Sequence, residues 1–186
     1  MKRIQKVYLV GLGAIGCAYG SLMQDKEPGL LKVVADRSRI RKYTEKGIYI
    51  NNKRYQFDFV EPKAPAEDNE QADLVIISVK YHQLGQAIKD IKGFVGRDTI
   101  ILSLLNGINS EQIIGEVYGM DNMLLSFSVG IDAVRDDTAV NFTKRGKIIF
   151  GEEKNTQYSA KVLAVKELFD RVGIQYMIPG DMVREM

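Results

Sequence analysis

The chain has 186 residues, enough for one domain with a sizeable core or one domain plus part of another, and its 45% hydrophobic and 27% charged residues are those of an ordinary globular protein. A formal net charge of +2 leaves no polyanion footprint and excludes nucleic acid as the main partner. The single cysteine, Cys17, excludes an internal disulfide framework and a cysteine-based zinc site, which makes a reducing cytoplasm the expected location.

The basic start Lys2-Arg3 is followed by an apolar stretch too short for a signal peptide, and no run approaches the length that spans a bilayer. That stretch, Val7-Tyr8-Leu9-Val10, reads as a strand buried on both faces. It runs into Gly11-Leu12-Gly13-Ala14-Ile15-Gly16, a Gly-x-Gly-x-x-Gly turn, after which Ile15, Tyr19, Leu22 and Met23 mark a helix. In such a corner the first glycine permits the tight turn, the second lets a pyrophosphate approach the backbone, and the third lets helix and sheet pack closely. Unpaired amides at the helix start, aided by the positive end of its dipole, bind the anion without a basic side chain.

Leu31 to Asp36 reads as the next strand, and Asp36 falls about 20 residues beyond the last glycine, where a carboxylate meets the adenosine ribose. The basic run Arg37-Ser38-Arg39-Ile40-Arg41 follows at the strand exit. A guanidinium fork suits a 2′-phosphate, and Arg37 is assigned that contact, with Arg39 and Arg41 left as the solvated first turn of a helix. Gly47 to Phe59 alternates apolar and polar residues around Asn51-Asn52-Lys53 and reads as a β-hairpin, and Glu61 to Gln71 as an exposed connection.

Asp73 to Lys80 is a second buried strand, and it delivers Lys80 to the crevice at its C-terminal end. Leu84, Ala87, Ile88 and Ile91 then carry a helix that stops near Gly93. Thr99 to Leu105 repeats the arrangement and delivers Asn106-Gly107, with Ser110 capping a helix through Ile113, Ile114, Val117 and Tyr118. Met123 to Ile131 is a further strand, and Ala139–Thr143 with Lys147–Phe150 reads as a hairpin turning at Lys144-Arg145-Gly146. Tyr158 to Val172 is the last full helix, closed by Gly173, and Ile174 to Ile178 a final short strand. His82, the sole histidine, reads as a packing or capping residue beside a helix start, and Cys17 as a small residue after the glycine corner.

The expected architecture is therefore α/β: a Rossmann-like, doubly wound, mainly parallel sheet with antiparallel edge additions. The glycine corner, Arg37, Ser78-Val79-Lys80 and Leu105-Asn106-Gly107, in that order, resemble the N-terminal domain of the ketopantoate reductase (2-dehydropantoate 2-reductase) family. The resemblance covers essentially the whole chain. It implies a nucleotide-binding domain over residues 1–178, with 179–186 starting the connection to a helical C-terminal domain. It also implies NADPH-dependent reduction of a 2-oxo acid, ketopantoate to pantoate in pantothenate synthesis. Gly11, Gly13 and Gly16, with Leu12, Ala14 and Ile15 between them, would hold the pyrophosphate, Arg37 the 2′-phosphate, and Lys80 the cofactor side of the crevice. Asn106 would lie where nicotinamide and substrate meet.

The family's general-acid lysine and its acidic partner belong to the helical domain, so this chain is expected to bind nucleotide and turn over little substrate alone. Asp36 directly before Arg37 opposes a 2′-phosphate and admits NAD as the alternative to NADP. The competing functional readings are another two-domain dehydrogenase acting on a hydroxy acid or a polyol phosphate, and a non-enzymatic NAD(H)-sensing module. A small-molecule substrate, no membrane partner and a homodimer complete the expectation.

Overall fold

The structure, a computed structural model, describes residues 3–62, 71–105 and 109–186. The first strand, β1 (Val7–Val10), is buried along its whole length, and the glycine turn leads into helix α1 (Ala14–Lys26). Strand β2 (Leu31–Val34) follows, and helix α2 (Arg37–Lys46) starts three residues after it ends, so Asp36 is the N-cap of a helix rather than the last residue of a strand.

Strands β3 (Ile48–Ile50) and β4 (Lys53–Tyr55) form the expected hairpin. Its two-residue turn has positive φ at Asn51 (48°) and Asn52 (63°), a left-handed geometry that asparagine tolerates better than most residues. The chain then adds β5 (Asp58–Val60) alongside β2 in parallel. Strand β6 (Leu74–Ile77), a short 3-10 turn at Tyr81–Gln83, helix α3 (Leu84–Asp90), strand β7 (Ile100–Ser103) and helix α4 (Asn109–Tyr118) continue the βα alternation.

The second half differs from the expected pairing. Strand β8 (Met123–Ile131) pairs antiparallel with β11 (Arg145–Gly151), with β9 and β10 lying between them in the chain. The tight hairpin is instead β9 (Val134–Asp136) with β10 (Ala139–Asn141), turning at Asp137, where φ is 49°. The two arms read as one hairpin, 139–143 and 147–150, are therefore not paired: β10 finds β3 as its second partner in the small sheet, and β11 finds β8 in the large one. The chain closes with α5 (Ala160–Val172), β12 (Tyr176–Met177) and the short α6 (Met182–Glu185). Ser159 caps α5 through its Oγ, which accepts from the Val162 amide, and left-handed Gly173 ends it.

The large sheet has the order β12-β11-β8-β7-β6-β1-β2-β5. From β5 to β8 neighbouring strands are parallel, and the antiparallel pairing of β11 with β8 lies toward one edge, which is the expected doubly wound architecture. Alternate residues of each strand face opposite layers. Leu9, Leu74, Ile76 and Leu102 pack with α1 and α5, and Tyr8, Val10, Val75 and Ile101 pack with α3 and α4. Each such fully buried aliphatic side chain contributes roughly 1.5–3 kcal/mol. The small sheet, β4-β3-β10-β9, joins the first of these layers through Ile48, Ile50, Tyr55 and Val140. Among the described residues, no helix is long and apolar enough to cross a membrane.

Candidate functional site

The chain leaves β1 toward β2 and β5 on one side and returns to β6, β7 and β8 on the other. The order of the large sheet thus reverses between β1 and β6, and ligands of open α/β sheets bind at the carboxyl ends of strands where such a reversal opens a crevice. Gly11 follows β1 there and Ser78-Val79-Lys80 follows β6. The two exits are stitched together: the Ser78 amide donates to the Val10 carbonyl at 2.9 Å and its Oγ to the Gly11 carbonyl at 2.7 Å.

The glycines of the turn are not equivalent. Gly11 has φ +99°, and a Cβ there would stand 2.7 Å from the Ser78 carbonyl oxygen. A Cβ at Gly16 would stand 1.9 Å from the Gly11 carbonyl oxygen, so the absence of a side chain is what lets α1 approach the strand. Gly13 is different. Its φ is −77°, and a Cβ would meet nothing nearer than Ser78 O at 3.8 Å and Arg135 Nη1 at 3.9 Å, ordinary contacts. The fold itself leaves room for a methyl group at Gly13, and that room faces the crevice.

Gly13 is also the N-cap of α1, with no side-chain hydrogen bond capping the helix and no acidic residue in its first turn. The amides that open a helix lack intrahelical acceptors, so this end can receive an anion. A cavity of about 410 Å³ lies in front of it, lined by Gly11 to Ile15, by Ser78 to Lys80, and by residues from α2 and β9. The charged residues lining it, among those described, are Arg39, Lys42, Lys80 and Arg135, all basic. A cavity of similar volume at the opposite ends of the strands, near Ile4, Arg97 and Asp121, has neither the turn nor the switch point.

The nearby carboxylates are already engaged. Asp36 accepts from Ser38 Oγ at 2.5 Å and from the Arg39 amide at 3.0 Å, with Arg39 Nε 3.4 Å from its other oxygen. The Ser38 hydroxyl and the Arg39 amide hold its pKa below the ordinary carboxylate value. Asp137 pairs with Lys42 and, at 2.7 Å, with Lys46, which pull its pKa down to about 2. Cys17 is buried just behind the turn, and burial pushes its thiol up to about 11 against the opposing pull of Arg135. It is no nucleophile in this state.

Of the residues singled out by sequence, Gly11, Leu12, Gly13, Ala14, Ile15 and Lys80 line the cavity, and Gly16 packs immediately behind. Lys80 is exposed at the β6 exit, where its amide donates to Gln83 Oε1 at 3.4 Å. Asp36 sits at the β2 exit but spends one carboxylate oxygen on capping α2. Arg37 extends outward, its side chain 88% exposed and 3.3 Å from Glu61, and it does not line the cavity. Arg39, assigned to solvent from sequence, does line it. Asn106 and Gly107 lie outside the described residues, as does most of the connection after Pro62.

Sequence reasoning missed Arg39, Lys42, Tyr43 and Arg135. The first three were findable: with α2 beginning at Arg37, positions 39, 42 and 43 follow the i, i+3, i+4 spacing of one helix face. Arg135 had no local signal, since it reaches the glycine turn from a strand more than a hundred residues away. Among the described residues, no cluster of histidine, cysteine and acidic side chains is placed to hold a metal ion.

The glycine corner at the switch point of a doubly wound sheet defines a Rossmann-like domain. A sequence model of the family described as ketopantoate reductase PanE/ApbA matches residues 7–155, and the chain belongs to that family. It is 30% identical over 123 residues to the 2-dehydropantoate 2-reductase of Streptococcus pyogenes serotype M3, an alignment covering 66% of this chain and 40% of that one. A crystal structure of a putative 2-dehydropantoate 2-reductase from Enterococcus faecalis superposes with a TM-score of 0.77 at 20% identity, covering 97% of this chain and 58% of the other. D-mandelate dehydrogenase, solved as a ternary structure with NADH and anilino(oxo)acetate, superposes with a TM-score of 0.76 at 22% identity, covering 97% of this chain and 60% of the other. The chain thus spans roughly half the length of the relatives it matches.

Proposed function

We propose that this chain is the nucleotide-binding part of an NADPH-dependent reductase of 2-oxo acids, with ketopantoate as the substrate and pantoate as the product. The observation that carries the nucleotide-binding part of the proposal is Gly13; the substrate rests on the family to which the chain belongs. A residue whose smallness the fold does not require, at an uncapped helix start in a basic crevice, has its smallness explained by a ligand that must come close.

NADPH bound in that crevice supplies a hydride to the carbonyl carbon of the substrate. The turn from Gly11 to Gly16 holds the diphosphate through its amides. Arg39, which lines the crevice at the β2 exit where Arg37 does not, takes the 2′-phosphate, and its guanidinium beside Asp36 offsets the repulsion that this carboxylate would otherwise exert. Lys80 faces the cofactor from the β6 exit. Asn106 is proposed to stand between nicotinamide and substrate, positioning both. Protonation of the developing alkoxide needs a positioned acid. In this proposal, resting on the family resemblance, that acid is a lysine in a helical domain beyond residue 178. The complete reductase is proposed to act in the cytoplasm as a homodimer.

A second reading, NADH in place of NADPH, draws support from Asp36: its Oδ2, which caps no amide and has only Arg39 Nε beside it at 3.4 Å, keeps the capacity to accept from a ribose hydroxyl at the β2 exit. Parallel titrations of the purified chain with NADPH and NADH decide between them. NADPH binding at least tenfold tighter is expected, and equal or tighter NADH binding reverses the choice of cofactor. Ketopantoate reduction by the 186-residue chain at the rate of a full-length reductase would refute the assignment of the acid to another domain.

A further inference from the structure

The β9–β10 hairpin belongs to the small sheet, yet it reaches the large sheet's glycine turn through one side chain. Arg135 Nη1 donates to the Leu12 carbonyl at 2.5 Å, between the two glycines that open the turn. Its Nε donates to the Asp137 carbonyl at 2.8 Å, which fixes the plane of the guanidinium. The carboxylate of the same Asp137 ties the hairpin to α2 through Lys42 and Lys46. The hairpin is therefore anchored independently of Arg135, and the guanidinium is aimed rather than trailing.

A guanidinium has five N–H donors, and no partner among the described residues engages Nη2. Its position is also specific. Nη1 is 3.9 Å from where a Cβ of Gly13 would be, whereas Arg39 and Asp36 cluster at the end of β2, the ribose side of the crevice. A cation at the turn covers the Leu12 carbonyl, whose partial negative charge would oppose an anion arriving at the neighbouring amides. The same cation can donate to that anion in charge-assisted hydrogen bonds, about twice as strong as neutral ones.

We infer that Arg135 is a binding residue for the diphosphate of the dinucleotide, supplied by the small sheet across the glycine turn. This rests on the nucleotide reading of that turn. Arg135 gives the otherwise purely backbone anion site a side-chain charge, and it makes the β9–β10 hairpin part of the cofactor site.

The test is isothermal titration of the wild-type chain, Arg135→Ala and Arg135→Lys with two probes: NADPH, which has the diphosphate, and 2′-AMP, which has only the 2′-phosphate. Arg135→Ala is expected to weaken NADPH binding by about tenfold to a hundredfold, the range for losing a hydrogen bond to a charged group. It is expected to leave 2′-AMP within twofold, and to flatten the salt dependence of NADPH binding. Arg135→Lys is expected to recover part of the loss, since it restores charge without the planar fork. NADPH affinity unchanged in Arg135→Ala overturns the inference, and so does an equal loss for both probes, which would mark a purely structural role. A wild-type chain that binds neither probe instead overturns the nucleotide reading of the turn, and the inference falls with it.

Discussion

Replacing Gly13 with alanine separates the needs of the fold from those of a ligand. At φ −77° alanine is unstrained, and its methyl would sit 3.8 Å or more from its nearest neighbours, so no clash follows. Alanine is a poorer N-cap than glycine, a cost of about 0.5–1 kcal/mol, while the lost freedom of the unfolded chain returns about 0.4–1 kcal/mol. These nearly cancel. In a domain of this size about 1 kcal/mol moves the thermal midpoint by about 2–4 °C, so Gly13→Ala should melt within about 4 °C of wild type. The same methyl lies between an approaching diphosphate and the amides of α1. Loss of one hydrogen bond to a charged group weakens binding by about tenfold or more.

Gly16→Ala is the contrasting variant. Its methyl would stand 1.9 Å from the Gly11 carbonyl, and α1 must shift to admit it. Overpacking of this kind costs about 1–3 kcal/mol or more, which lowers the midpoint visibly. Differential scanning fluorimetry with and without NADPH reads both quantities. Gly13→Ala that keeps wild-type NADPH affinity would refute the argument from the unfilled space, and Gly13→Ala that fails to fold would show that the fold needs this glycine after all.

Two further predictions concern buried groups. Glu111 is 1% exposed in a network with Ser103, Ser110 and Ser126, and burial raises its pKa above the ordinary value of 4.5. A raised carboxylate pKa means the unfolded state ionises first, so this group's contribution falls as pH rises from about 4.5 through the higher folded value. Denaturant titrations at pH 4 and pH 8 should show Glu111→Gln gaining relative to wild type at the higher pH; a difference independent of pH would contradict the burial argument. Cys17, pushed up to about 11 and 1% exposed, should react with a thiol reagent at pH 8 only after denaturation, and stoichiometric labelling of the native chain would contradict its placement behind the turn.

Much of this was legible in the sequence because its signals are local. The run Val7–Val10 into three spaced glycines, and the apolar runs ending at Lys80 and Leu105, each announce a strand and its exit within about ten residues. The β3–β4 hairpin was legible for the same reason, since Asn51-Asn52 states its own turn. Strands β10 and β11 were not legible as paired. Three residues of β10 carry no periodicity of their own and pair with β3, far away in the chain, while β11 returns past β9 and β10 to pair with β8. At the site, the backbone corner could be read, and the phase of α2 becomes readable once Asp36 is taken as its cap rather than as the end of a strand. That one shift turns Arg39 toward the crevice and Arg37 away from it. Arg135 reaches Leu12 only through tertiary structure.

The most direct measurement is a heteronuclear NMR titration of the isotope-labelled chain with NADPH. A nucleotide held at the glycine corner should give saturable shifts largest at the amides of Leu12 to Gly16 and at the residues following β6, with the amides around Arg97 and Asp121 unmoved. Shifts concentrated away from the corner, or none at millimolar NADPH, would contradict the assignment of this turn as the dinucleotide site.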